Sequence, residues 1–279
     1  LYISMRENNL NFDKPKIFKL FQDKKYAKIS KISKSILKTF SKDKEIYKII
    51  ILSELNEKNF KNAKIVSEKL LDLINDAETN YIHGNVLKIQ KKFKEAIIFY
   101  QKAIDFKKDY FEAYNNLATS QKHIGLKREA LENYKNAINL KENNLEAHYN
   151  LANLLYDEKR FEEARENYEK VIKIDNNFPQ SYLSIGLINS VQGKFEEAKN
   201  YFLKATEKDK FLTEAYVYYV NTRKIDKNDN IIKILEELIN SKDLHPKHEQ
   251  DISYALSKVY FDIDNICLLY TSDAADDGS

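Results

Sequence analysis

The sequence predicts an all-α fold, an α-solenoid of antiparallel two-helix hairpins, on three observations. First, Ala96, Ala130, Ala164 and Ala198 stand 34 residues apart, and Tyr100, Tyr134, Tyr168 and Phe202 repeat at the same step. Second, Gly84, Ala118, Ala152 and Gly186 recur with that spacing, as do Tyr114, His148, Tyr182 and Tyr216. Third, only five Gly and three Pro occur among 279 residues, too few for the frequent tight turns of a β-rich chain. A period of 34 with apolar residues at i, i+3, i+4 and i+7 is the mark of a stacked helical repeat.

Four well-formed units follow from the spacing, at 77–110, 111–144, 145–178 and 179–212. In the second of these, Tyr114, Leu117, Ala118 and Gln121 form one stripe of the first helix, with Gln121 the polar exception. Ala130, Leu131, Tyr134, Ala137 and Ile138 form the stripe of the second helix. Ala118 and Ala130 let the two axes approach, where larger side chains would hold them apart. Gly125 and Gly193 are placed to end first helices, because Gly takes the left-handed conformation at little cost. Residues 1–76 hold degenerate repeats: Phe60 and Ala63 mark a looser unit at 44–76, and Tyr26 and Ile29 another at 10–43. Residues 213–266 carry a divergent pair, Glu214–Arg223 and Ile231–Asn240, with Asn230 as the expected cap of the second helix. A final helix is expected from about Lys247 to Phe261, after Pro246.

Both ends depart from this pattern. The chain begins at Leu1, so either a segment precedes it or translation starts at Met5. The stretch 267–279, Cys-Leu-Leu-Tyr-Thr-Ser-Asp-Ala-Ala-Asp-Asp-Gly-Ser, lacks the Lys and Asn common elsewhere and resembles the translation of a sequencing-library adapter. On that reading the natural protein continues past Ile266, and loss of Asp273, Asp276 and Asp277 moves the net charge from +3 to about +6.

The segments Glu112-Ala113-Tyr114-Asn115-Asn116-Leu117-Ala118 and Gly193-Lys194-Phe195-Glu196-Glu197-Ala198 resemble the tetratricopeptide repeat. The proline often found near that unit's end is replaced by Glu142, Asn176 and Lys210. The resemblance implies a right-handed superhelix that binds a protein or peptide and does not itself catalyse. It implies that an extended peptide or partner helix lies along the first helices, against Asn115, Asn116, Thr119, Tyr149, Asn150, Asn153 and Tyr156. The Lys and Arg with which some relatives clamp a C-terminal carboxylate are absent from the matching positions, which hold Asn115 and Thr119, Tyr149 and Asn153, or Gln180 and Ser184. Residues 249–263 resemble the segment joining repeats to a sulfotransferase domain in bacterial fusions. The chain is then alternatively the recognition arm of a longer sulfotransferase or, by its Asn series, of a glycosyltransferase.

No cofactor and no metal are expected. The glycines outside 267–279 are absorbed by the repeat, which leaves no phosphate loop. His245 and His248 flank Pro246 without further ligands and are read as a solvated helix start. One Cys, and no apolar run of membrane-spanning length, give the expectation of a cytoplasmic protein without nucleic-acid or membrane partners, whose oligomeric state stays open. Twelve Lys and no Arg lie between Lys14 and Lys48 against Asp23, Asp43 and Glu45; such a run suits nucleic acid, anionic lipid or an acidic partner, and is read first as solvated helix faces.

Overall fold

The computed structural model describes residues 13–222 and 224–263, and every regular element among them is an α-helix. The adapter-like stretch and the choice between Leu1 and Met5 lie outside these residues. Helices α1 (Lys14–Gln22) and α2 (Tyr26–Thr39) form the first hairpin, and α3 (Lys44–Asn56) and α4 (Phe60–Leu73) the second. The third comprises α5 (Ala77–Ile89) and α6 (Phe93–Phe106), and the fourth α7 (Phe111–His123) and α8 (Lys127–Leu140). Next come α9 (Leu145–Asp157), α10 (Phe161–Ile174), α11 (Pro179–Val191), α12 (Phe195–Lys208), α13 (Thr213–Thr222), α14 (Ile231–Ile239) and α15 (Pro246–Asp262). The chain divides into two compact units, one up to Ala147 and one from His148. Each is a helical-repeat solenoid with a core of its own.

Within each hairpin, packing turns on two positions sixteen residues apart, the eighth and twenty-fourth of the unit. A methyl group built on Gly84 would lie 2.7 Å from the Tyr100 ring, and one on Gly186 would lie 2.5 Å from the Phe202 ring. With glycine at these sites the ring on the facing helix sits closer than a methyl would allow, so a larger residue would force the ring to shift. In the intermediate units the small residue is alanine, Ala118 with Tyr134 and Ala152 with Tyr168, all four buried. The first two hairpins hold the reverse arrangement. There the eighth position carries Ile17 and Ile51, while the twenty-fourth carries Ser33 and Ser67, all buried. The bulk has changed helices while the sum of the two volumes stays near what the gap admits.

The turn between the two helices is equally regular. The fifteenth position has positive φ in six successive hairpins: Lys24 (54°), Lys58 (56°), Lys91 (59°), Gly125 (85°), Lys159 (59°) and Gly193 (75°). Each is followed by a backbone N–H that reaches five residues back, such as Leu126 to the Gln121 carbonyl and Arg160 to the Leu155 carbonyl, both 2.9 Å. The positive-φ residue itself donates three residues back, as Gly125 does to Lys122 at 3.1 Å. Together these close the first helix in a Schellman motif. Nothing lies within 4 Å of where a Cβ would stand on Gly125 or Gly193, so backbone conformation alone favours glycine there.

In the unit up to Ala147, successive first helices are also tied by charge. Lys44 Nζ sits 2.7 Å from both Asp76 and Glu78, and Lys48 Nζ sits 2.6 Å from Glu78 and 3.1 Å from Glu45, joining α3 to α5. In the other unit, the cap of α14 differs from expectation. Asn230 is helical (φ −59°) and makes no side-chain cap, while Asp229 Oδ1 accepts from the Ile231 N–H at 3.1 Å. Asp229 is held there by Lys199 Nζ at 2.9 Å and the Tyr219 hydroxyl at 3.1 Å, so the capping carboxylate is the one already paired with α12. Residues 249–263 lie largely on α15, which buries Ile252, Ala255, Leu256 and Val259 against α13 and α14. Asp262 Oδ2 accepts from the Ile225 N–H at 3.0 Å, fixing α15 to the segment after α13.

Two outcomes follow. Gly186→Ile should cost about 2 kcal/mol or more by overpacking, and Phe202→Ser about 3 kcal/mol or more by cavity formation. The double variant, which recreates the Ile and Ser of the first hairpins, should lose at least about 1 kcal/mol less than the sum in urea unfolding. Strict additivity would show that the two positions do not share one gap. Separately, Lys159→Gly should raise stability by about 0.5–1 kcal/mol, the left-handed penalty of an L residue less the extra chain entropy of glycine. A lower thermal midpoint for that variant would contradict the assignment.

Candidate functional site

The first helices of each hairpin carry the side chains expected to meet a partner, and the two units present them differently. Up to Ala147, Asn115 and Asn116 are buried, at 2% and 6% exposure. Asn116 is the centre of a network: its amide donates to Asn85 Oδ1 at 2.9 Å and to the Tyr81 hydroxyl at 3.0 Å. Its carbonyl oxygen accepts from Lys88 Nζ at 2.7 Å. Burial lowers the Lys88 ammonium below the usual lysine range, partly offset by the field of Glu146. Asn116 thus joins α5 to α7, and Asn115 also has a polar partner.

A second pattern links this inner row to the core. The buried ring at the twenty-fourth position points its hydroxyl at the ninth residue of its own unit. Tyr100 donates to Asn85 Oδ1 at 2.8 Å, Tyr134 and Thr119 hydroxyls lie 3.1 Å apart, and Tyr168 donates to Asn153 Oδ1 at 2.6 Å. A buried phenol oxygen needs such a partner. Where the ring is Phe202, with no hydroxyl, the ninth residue is Leu187. Burial raises all three phenols above the ordinary tyrosine value, Tyr134 to about 12, so they stay protonated donors. Thr119 and Asn153, read from the sequence as groove residues, therefore serve the core as well.

From His148 onward the inner face is richer in aromatic surface. Tyr149 on α9 lies edge-on to Phe178 at 5.0 Å between centroids and tilted against Tyr168 at 5.8 Å. Burial raises its hydroxyl, against the lowering effect of hydrogen bonds with Asn153 and Ser184. Tyr156, one helical stretch on, packs edge-on against Phe161 at 5.5 Å and keeps part of its ring in solvent. Asn150 is half-buried and has a polar partner. On α13, Tyr218 stacks on Phe202 at 5.7 Å with 40% of its surface exposed. Tyr149, Asn150, Asn153 and Tyr156 are thus brought together on α9.

Sequence reasoning passed over Tyr81, Asn85, Lys88 and Tyr218. The signal for two of them was present: Tyr81 and Tyr149 share the fifth position, and Asn85 and Asn153 the ninth. The histidines take local roles. His245 Nδ1 accepts from the Lys247 N–H at 3.1 Å at the start of α15, and His248 Nδ1 lies 3.1 Å from the Thr213 hydroxyl. Among the described residues no three side chains of His, Cys, Asp or Glu gather as a metal site would require. No described helix is long and apolar enough to cross a membrane.

Comparison with known proteins places this geometry. Residues 84–125, 128–158 and 152–190 match the family described as TPR repeat, and residues 179–210 match a second described as tetratricopeptide repeat. The crystal structure of MamA is 29% identical with a TM-score of 0.53, covering 58% of this chain and 95% of that one. The C-terminal part of a TPR repeat-containing protein from Cytophaga hutchinsonii is 18% identical with a TM-score of 0.60, covering 95% of this chain and 98% of that one. YrrB, described as a TPR protein with an unusual peptide-binding site, is 17% identical with a TM-score of 0.50, covering 75% and 97%. A comparison with curated proteins finds no match.

The pairing of Tyr134 with Thr119 is open to test. Tyr134→Phe should cost about 1 kcal/mol, and Thr119→Val in that background should cost little more, because the polar partner is then no longer needed. A coupling near zero in the double-mutant cycle would show that the hydroxyls do not depend on one another.

Proposed function

We propose that this chain, in which residues 84–125, 128–158, 152–190 and 179–210 match tetratricopeptide-repeat families, is a scaffold whose first helices hold an extended peptide or a partner helix. The observation that carries this reading is the set of partly exposed phenols Tyr149, Tyr156 and Tyr218, together with the half-buried Leu187 and Asn150, on the first helices of the unit from His148. Rigid aromatic side chains of this kind, with an apolar body and a polar tip, often supply most of the energy of an interface. Asn150 would add a group that both donates and accepts, suited to a peptide backbone. The peptide-binding description of YrrB supports the general mode, although its identity to this chain bears on the fold alone.

The engagement of Asn116 shifts the expected contributions. A partner that approached its amide would have to break three internal hydrogen bonds, so Asn115 and Asn116 shape the face of their own unit, while in the unit from His148 it is Tyr149, Asn150, Asn153 and Tyr156 that meet the ligand. We read no reaction and no cofactor into this arrangement. The sulfotransferase and glycosyltransferase alternatives gain no support from α15, whose apolar face is used in packing against α13 and α14.

Panning a random peptide library on the intact chain tests the reading. Selected peptides should bind at least about 30-fold more weakly to the Asn150→Ala/Tyr156→Ala variant, the loss expected of an aromatic anchor. The unfolding midpoint should move little, since both side chains are partly exposed. Selected peptides that bind the variant and the parent equally would place the site elsewhere.

A further inference from the structure

The outer face of the first two hairpins carries a feature that inner-face binding does not use. Helices α2 and α4, the second helices of consecutive hairpins, line two adjoining hollows of about 430 and 460 Å³. Both hollows share Ser33, Lys34, Asn62 and Ile65. Lys31 and Lys61 complete the rim of the first, and Lys38 and Lys69 that of the second. The second is floored by Leu37, Tyr47, Ile65 and Val66, with Ile65 41% exposed. Ser33 stands where later units carry Tyr100, Tyr134, Tyr168 or Phe202, so this lining position is small where theirs are bulky.

Charge sets these lysines apart from their neighbours. Lys14, Lys44, Lys48 and Lys64 each lie within 4.0 Å of a carboxylate, whereas Lys31, Lys34, Lys38, Lys61 and Lys69 have no such partner among the described residues. Helix α2 has no acidic residue at all, unlike the second helix of each later hairpin. The carboxylate beneath the first hollow, Glu54, is buried and already accepts from Ser30, Asn59 and Asn62 at 2.7, 2.8 and 2.5 Å. Its donors are all neutral, and it makes no ion pair within 4.0 Å with any rim lysine among the described residues.

We propose that the groove between α2 and α4 docks an acidic protein segment bearing leucine-like side chains. Five unopposed ammonium groups call for carboxylates, and the exposed Ile65 with the half-buried Leu37 calls for apolar side chains between them. Nucleic acid fits the groove less well. The lining has no Arg, the residue suited to bidentate phosphate contacts, and no row of exposed aromatic rings on which bases could stack. From Lys31 to Lys38 the rim extends roughly 10 Å along α2, enough for two turns of a partner helix. This docking is independent of the inner-face reading.

The test uses the full chain and a labelled synthetic peptide of alternating Glu and Leu pairs, followed by fluorescence anisotropy. Binding should occur at low salt, weaken as salt rises, and fall about tenfold or more when every Glu of the peptide is Gln. Lys34→Glu/Lys69→Glu should abolish it. Lys94→Glu/Lys135→Glu, the same charge change on exposed second helices of later hairpins, should leave it intact, with circular dichroism reporting equal helix content in both variants. Three results would each overturn the proposal: no binding of the peptide, equal loss in the two double variants, or capture of duplex DNA or phosphatidylserine vesicles in place of the peptide.

Discussion

The close approach of two helices at one pair of positions is the constraint on which each hairpin depends. The gap at the eighth and twenty-fourth residues admits one large side chain and one small one. Tyr100 and Phe202 have moved up against Gly84 and Gly186 to within 2.7 and 2.5 Å of where a methyl would stand. Ile17 and Ile51 opposite Ser33 and Ser67 answer the same constraint from the other helix. Close packing explains why either arrangement serves: the interior has to be filled to the density of a crystal, and which chain segment supplies the volume is secondary.

This is also why the later repeats are legible in the sequence and the first two are obscure. A search for an aromatic every 34 residues finds Tyr100, Tyr134, Tyr168 and Phe202 and stops, because Ser67 and Ser33 carry the reciprocal choice. The turn behaves in the same way. Gly125 and Gly193 announce a left-handed residue, but Lys24, Lys58, Lys91 and Lys159 adopt it too, held by the Schellman hydrogen bonds on either side. A side chain that tolerates an unfavourable backbone region leaves no mark in composition. The cap at Asp229 was hidden for a different reason: Asn230 and Asp229 are both good caps locally, and the pairing of Asp229 with Lys199 on a distant helix decides between them.

Periodicity located the inner-face residues on their helices, but not their exposure. Asn115 and Asn116 sit where a groove residue should, yet both are buried, and α5 covers Asn116, which Tyr81, Asn85 and Lys88 of the preceding unit all reach. Only a contact between units could show this, and spacing within one unit carries no information about it. Tyr149 and Tyr156 keep solvent-facing surface because their ring partners, Phe178 and Phe161, cover one side of each.

Core and binding face are therefore not independent designs. When the twenty-fourth residue is a tyrosine, its hydroxyl emerges near the inner face and demands a polar ninth residue, as at Asn85, Thr119 and Asn153. When it is Phe202 or Ser67, the ninth residue is Leu187 or Leu52, and the face becomes apolar at that point. A phenol hydroxyl at the twenty-fourth position thus goes with a polar surface above it. The alternation of Asn, Thr and Leu along the first helices is then in part a record of which rings lie beneath, and a change of partner preference at these positions would have to be accompanied by a change inside the hairpin.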